Sequence, residues 1–113
     1  MNQKEKLRNI DERLISEIVN RVLSLVNPRR IILFGSAATG AMTFDSDLDL
    51  LVIEDDFTNQ REENLRLRKA LHGLGIPVDI FAMTSERFAE TKDVIGGLAY
   101  PANKYGKVIY ETS

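Results

Sequence analysis

The sequence predicts a small α/β domain around a mixed sheet, and three observations predict it. Two short runs, Ile31-Ile32-Leu33-Phe34 and Leu48 to Ile53, are apolar on both faces, as strands inside a covered sheet are. Segments with apolar residues at helical spacing alternate with such strands. The 113 residues leave room for one core and one domain, residues 1–113, burying roughly two-thirds of the unfolded surface.

Taken in order, Asn9 with Glu12 three residues on reads as a capping box opening the first helix. Ile10, Leu14, Ile15, Ile18, Val19, Val22, Leu25 and Val26 then follow a 3.6-residue period. Asn27-Pro28 stops it, because proline disfavours helical backbone in the residue before it. The strand Ile31–Phe34 follows, then Leu48–Ile53, which runs into an acidic turn, Glu54-Asp55-Asp56. Asn59 and Glu62 form a second capping box. The helix they open carries Leu67, Ala70, Leu71 and Leu74 inward. It carries Arg61, Glu62, Glu63, Arg66, Arg68 and Lys69 on a solvated face. Gly73 and Gly75 mark its end. Pro77 opens a third strand, Val78–Met83, and Thr84-Ser85 cap a short helix through Phe88. A weaker helical pattern starts at Asp93, with Pro101 in the first turn of its last segment. Gly106 ends it before a final strand, Lys107–Glu111.

Composition narrows the function. Fifteen basic and seventeen acidic residues give a net charge of −2. Extended nucleic-acid binding is therefore not expected, since it relies on many uncompensated cations. There are no cysteines, hence no disulfide and no thiolate metal site. The start, MNQKEKLRNIDERL, has no apolar stretch, and no segment is long enough to cross a membrane. The expectation is a soluble cytoplasmic protein.

The chemistry concentrates in LFGSAATGAMTFDSDLDLLVI, residues 33–53. Gly35 and Gly40 have P-loop spacing, but Ala41 and Met42 stand where a P-loop needs Lys and then Ser or Thr. Those two side chains contact the phosphates and Mg²⁺, so their loss removes the mechanism. An EF-hand fails too, because Leu50 replaces the turn glycine and Asp56 the bidentate glutamate. Strand geometry remains. Residues two apart share a face, so Asp47 and Asp49 project together while Leu48 and Leu50 enter the opposite layer. Paired carboxylates repel each other and resist desolvation, and a divalent cation offsets both. Oxygen-only ligands favour Mg²⁺ or Mn²⁺ over zinc. Asp79 interrupts another apolar strand, Val78-Asp79-Ile80-Phe81. If that strand lies beside the Asp47 strand, three carboxylates converge, enough for two cations about 4 Å apart on a nucleotide's phosphates. Gly35 and Ser36 can then offer backbone N–H groups and a hydroxyl to the outer phosphates.

Gly35-Ser36, ten intervening residues, Asp47-Leu48-Asp49 and the distal Asp79 resemble the signature of the DNA polymerase β-like nucleotidyltransferases. The small size and the ending AYPANKYGKVIYE, residues 99–111, resemble the minimal nucleotidyltransferase (MNT) branch. The resemblance runs from about Asp11 to Glu111 and implies a nucleotidyltransferase fold with helices mainly on one side of the sheet. It implies Mg²⁺-dependent transfer of a nucleoside monophosphate, AMP from ATP, to an acceptor hydroxyl. Asp47, Asp49 and Asp79 would be catalytic and would ligate two Mg²⁺ ions, with Mn²⁺ as substitute. Asp47 and Asp49 would share one ion with the triphosphate, and all three would hold the other. Gly35 and Ser36 would bind the β and γ phosphates. The family often works beside a HEPN-domain toxin, so the resemblance implies an antitoxin with that toxin as partner and acceptor. Related enzymes that modify small molecules such as aminoglycosides usually carry an additional acceptor-binding domain. Members often have Arg before the second loop glycine, where this chain has Thr39. The alternative is a non-catalytic antitoxin that neutralises its partner by contact.

Other residues read more plainly. Asp45-Ser46 is a turn, and His72 is an exposed residue favoured by a helix dipole. Arg29-Arg30 is a solvated pair before a strand rather than a phosphate clamp. Tyr100, Tyr105 and Tyr110 are core or interface aromatics.

Overall fold

The computed structural model describes residues 12–39 and 47–112, without the side chains of Ala37 and Thr39. The expectations for Asn9, Ile10, Gly40, Ala41, Met42 and the Asp45-Ser46 turn lie outside the described residues. Helix α1 (Glu12–Leu23) leads to β1 (Arg30–Phe34), a single turn α2 (Ser36–Thr39) and β2 (Leu48–Glu54). Helix α3 (Gln60–Ala70), β3 (Val78–Thr84), α4 (Ser85–Thr91), α5 (Ala99–Tyr105) and β4 (Lys107–Glu111) complete the order.

The four strands form one mixed sheet in the order β3-β2-β1-β4. β1 is antiparallel to β2 and to β4, and β2 is parallel to β3. The β2–β3 crossover runs through α3, as a parallel pair requires. Both faces of β2 are covered, which is why Leu48 to Ile53 is continuously apolar. Leu48, Leu50 and Val52 join Ile18 and Val22 of α1 and Leu67 of α3 in one core cluster. Leu51 and Ile53 join Phe88 of α4 and Ala99 and Ala102 of α5 in a second. The two long helices thus share one face, and two short helices close the other.

Local chemistry accounts for the element ends. Asn59 Oδ1 accepts from Glu62 N–H at 2.9 Å, the cap read from the sequence, a bond worth about 1 kcal/mol. Thr84 Oγ1 accepts from Arg87 N–H at 3.2 Å and starts α4. α1 ends at Leu23, short of Val26. Ser24 Oγ donates to the Arg21 carbonyl at 2.7 Å there and competes with the helix ladder. Leu25 and Val26 still pack on the first core. The helical pattern expected from Asp93 does not form before Ala99. Gly96 and Gly97 take φ of 111° and 73°, a conformation that leaves the helix.

Edge strand β3 is protected by α3. Asn64 Oδ1 accepts from the Ala82 N–H at 2.8 Å, and Gln60 Nε2 donates to the Ala82 carbonyl at 2.7 Å. These side chains occupy backbone groups that could otherwise template another strand.

Two further sequence readings need correction. Glu54 is not in the turn but ends β2, 6% exposed. Glu63 is not on the solvated face of α3; it is 5% exposed and faces the sheet. Tyr105, read as a core or interface aromatic, is 55% exposed, with Lys104 Nζ 5.6 Å from its ring centroid.

Candidate active site

One rung of the sheet carries the acidic residues. Phe34 of β1 pairs with Asp49 of β2, and Asp49 pairs in turn with Asp79 of β3. The parity of β2 puts Asp49 on the face of Leu51 and Ile53, which α4 and α5 cover further along. The aspartates lie past that apolar patch, Asp49 and Asp79 half-buried and Asp47 exposed just before the strand. The adjacency on which the convergence of Asp79 depended is therefore present.

The chain passes tightly over this rung. Gly35 follows Phe34 with φ +72°, and a Cβ built on it would overlap the Asp49 carboxylate. Both the backbone conformation and the space demand glycine at this point. Ser36, next in sequence, begins α2, and Ala38 N–H closes that turn on the Gly35 carbonyl at 3.1 Å. The structure thus places Gly35 against the Asp49 carboxylate, with Ser36 the next residue along the chain.

Electrostatics separate this site from an ordinary polar strand end. Partial burial first, then the charges of Asp79 and Asp47, raise the Asp49 carboxyl above its usual value. Asp79 is raised by partial burial, by the charge of Asp47 and by a hydrogen bond with Asp47, while Arg68 opposes the shift. The three carboxylates therefore act on one another. Among the described residues, the cation that opposes these shifts is Arg68, which the sequence assigned to the solvated face of α3. No local pattern could have revealed Arg68, because its relation to Asp79 crosses from helix to edge strand. Among the described residues, no group of three or more acids or imidazoles is gathered into metal-holding geometry. By donor type and uncompensated charge, the three aspartates fit a hard divalent cation.

The other candidates are placed elsewhere. A cavity of about 560 Å³, lined by Arg29, Arg30, Phe88 and Lys92 among others, lies at the opposite end of β2. Its cations are engaged: Arg29 with Asp55 at 2.8 Å, Arg30 with Glu111 at 3.2 Å and Lys92 with Asp93 at 3.0 Å. Charge chemistry therefore favours the aspartate rung over the larger hollow. His72 is exposed after α3, where it lines a small hollow of about 180 Å³ with Arg68 and Val78.

A profile of the nucleotidyltransferase domain matches residues 15–97. No curated protein matched the chain. Among solved structures, a toxin–antitoxin complex with AMP-PNP superposes with a TM-score of 0.67 at 21% identity. That match covers 87% of this chain and 73% of the other. A second is a tri-AMPylated Shewanella oneidensis HEPN toxin in complex with MNT antitoxin, TM-score 0.60 and 19% identity. It covers 91% of this chain and 74% of that one. At such identities the likeness is one of fold.

Proposed function

Since the chain belongs to the nucleotidyltransferase domain family, we propose that it transfers AMP from ATP to a hydroxyl on a HEPN-type toxin, acting as an antitoxin. The observation that carries this reading is the Phe34–Asp49–Asp79 rung beneath Gly35. The two toxin–antitoxin structures of like fold, one with AMP-PNP and one with an AMPylated HEPN toxin, support the choice of nucleotide and acceptor.

In this reading Gly35 and Ser36 receive the β and γ phosphates, through backbone N–H groups and the hydroxyl. Asp47 and Asp49 anchor the triphosphate side of the site, and Asp79 faces the acceptor. These residues would hold Mg²⁺ or Mn²⁺, which when bound neutralises phosphate charge and lowers the acceptor hydroxyl's pKa. The acceptor oxygen forms a bond to the α-phosphorus in line with the breaking bond to the β-phosphate oxygen. Pyrophosphate leaves with that electron pair, and the hydroxyl proton is released to the Asp79 side. Partial burial and Asp47 raise the Asp79 carboxyl, and Arg68 opposes that shift.

Incubation with Mg²⁺, α-labelled ATP and a lysate of the source cells tests this directly. Label on one protein, lost with Asp49→Asn, is the expected result. A second reading, neutralisation by contact alone, draws on Thr39 before the second loop glycine, where members of the family often carry Arg. It predicts no label on any protein.

A further inference from the structure

The outer side of α3 carries a basic row that the proposed transfer leaves without a role. Arg61, Leu65 and Arg68 stand at i, i+4 and i+7 and so share one side of the helix. All three are exposed, Leu65 at 41%. Arg66, further round the helix, is paired with Glu63. Among the described residues, Arg61 and Arg68 form no ion pair, and neither does Lys69 beside them. The acids of the same helix do not offset the row. Glu62 stands about 100° round from Arg61, and Glu63 is buried towards the sheet. In a chain of net charge −2, this strip of uncompensated cations is not a reflection of composition.

The row runs beside the sheet edge and ends near the aspartate rung. A hollow of about 400 Å³ lies along it, lined by Gln60, Arg61, Asn64, Leu65 and Arg68. Its polar wall is fixed, because Gln60 and Asn64 are both hydrogen-bonded to the Ala82 backbone of β3. At its far end Arg68 also lines the small hollow it shares with His72 and Val78, and Val78 precedes Asp79. Helix α3 packs on the sheet face opposite the aspartates, but β3 is the edge strand, so the charge of Arg68 is felt at Asp79 around that edge. Guanidinium groups match carboxylates through paired N–H bonds, and an exposed leucine between them supplies an apolar anchor. Single-stranded nucleic acid needs aromatic side chains on which bases stack, and neither hollow is lined by one. The row therefore suits an acidic polypeptide.

We propose that the Arg61–Leu65–Arg68 row docks an acidic segment of a protein partner along the β3 edge. Resting here on the transfer reading, that partner is the acceptor, and its hydroxyl reaches Asp79 from this edge. The docking itself is read without nucleotide, by amide NMR titration of the full chain at constant ionic strength. The probes are acetyl-Glu-Glu-Leu-Ser-Glu-Glu-amide, its counterpart with Lys in place of Glu, and a short oligothymidylate. The expected result is saturable shifts at Arg61, Leu65 and Arg68 with the acidic peptide, binding at least about tenfold tighter than the basic one. Arg61→Glu with Arg68→Glu should remove that preference; should this variant fail to fold, Arg61→Gln with Arg68→Gln should weaken the acidic peptide instead. The same variant should lower the label that α-labelled ATP leaves on protein in the lysate. No saturation, equal binding of the two peptides, unchanged affinity in the variant, or tighter binding of the oligothymidylate at these amides overturns the proposal. Label deposited by the variant at the wild-type rate overturns the acceptor's docking here. Peptide binding at the row with no labelled protein supports the docking face and fails the transfer reading alone.

Discussion

Asp49 and Asp79 stand directly opposite each other in a parallel β2–β3 ladder, two half-buried carboxylates in cross-strand contact. Like charges so placed destabilise a sheet, and each raises the other or is raised by Asp47. A raised carboxylate contributes stability only while protonated, so its contribution is lost as pH rises through its folded value. At neutral pH both groups therefore cost stability. Asp49→Asn should raise the melting temperature of the ligand-free protein by a few degrees at pH 7. The gain should shrink as pH falls towards the ordinary carboxyl value of 3.8, as Asp49 takes up a proton. The same substitution, combined with Asp47→Asn, should abolish the rise in melting temperature produced by Mg²⁺ and ATP together. Thermal melts across pH check both halves; a destabilised double variant that keeps the nucleotide response would contradict them.

Gly35→Ala addresses the loop rather than the charges. Left-handed backbone costs a non-glycine residue about 1–2 kcal/mol, and the new methyl would also meet the Asp49 carboxylate. The expected outcome is a melting temperature lower by several degrees and loss of the Mg²⁺–ATP response. Adding Asp49→Gly to make room should recover part of the stability but none of the response. Equal melts for wild type and Gly35→Ala would mean that the loop approaches Asp49 less closely than described.

Much of this site was legible because it depends on strand parity. The period-2 rule puts Asp47 and Asp49 on one face, and Asp79 required only that β3 lie beside β2. The order of elements supplied a crossover helix, α3, long enough to make that pair parallel. Glu63 was not legible. Its neighbours Arg61, Glu62 and Arg66 are all exposed, and its own burial is set by Glu54 beneath it, 9 residues earlier in sequence. A helix pattern counts polarity, and here two acids face one another inside. Likewise the Asp93 segment is helix-compatible by composition, but paired glycines decide its backbone.

That buried pair makes a pH prediction of opposite location and the same sign. Burial first, then the hydrogen bond and charge of Glu63, push Glu54 up to about 8, against a smaller pull from Arg66. In the unfolded chain Glu54 ionises near its ordinary value of 4.5. Between these values the unfolded state has released a proton that the folded state retains, so stability falls as pH rises. The contribution is complete below pH 4.5 and gone above about 8. Wild type should lose stability to urea steadily from pH 5 to 8. Glu54→Gln, neutral throughout, should flatten that slope. A wild-type slope unaffected by the substitution would place the proton elsewhere.

Asp79→Asn separates catalysis from contact. The change keeps the side chain's size and most of its hydrogen bonding, but removes the charge nearest the proposed acceptor. Asp47 and Asp49 remain to anchor the triphosphate side, so the nucleotide-dependent rise in melting temperature should largely survive. Transfer should fall by two orders of magnitude or more, because this carboxylate acts on the attacking hydroxyl rather than on the bound nucleotide. Loss of rate with retained binding is the signature of a group that acts in the transition state. Co-expression with the partner toxin, followed by intact-mass spectrometry, reads the outcome. Wild type should add AMP to the toxin and protect the cells. Asp79→Asn should do neither, although it still folds and still binds the toxin. Full protection by the variant, with unmodified toxin in both cultures, would sink the transfer reading and leave neutralisation by contact.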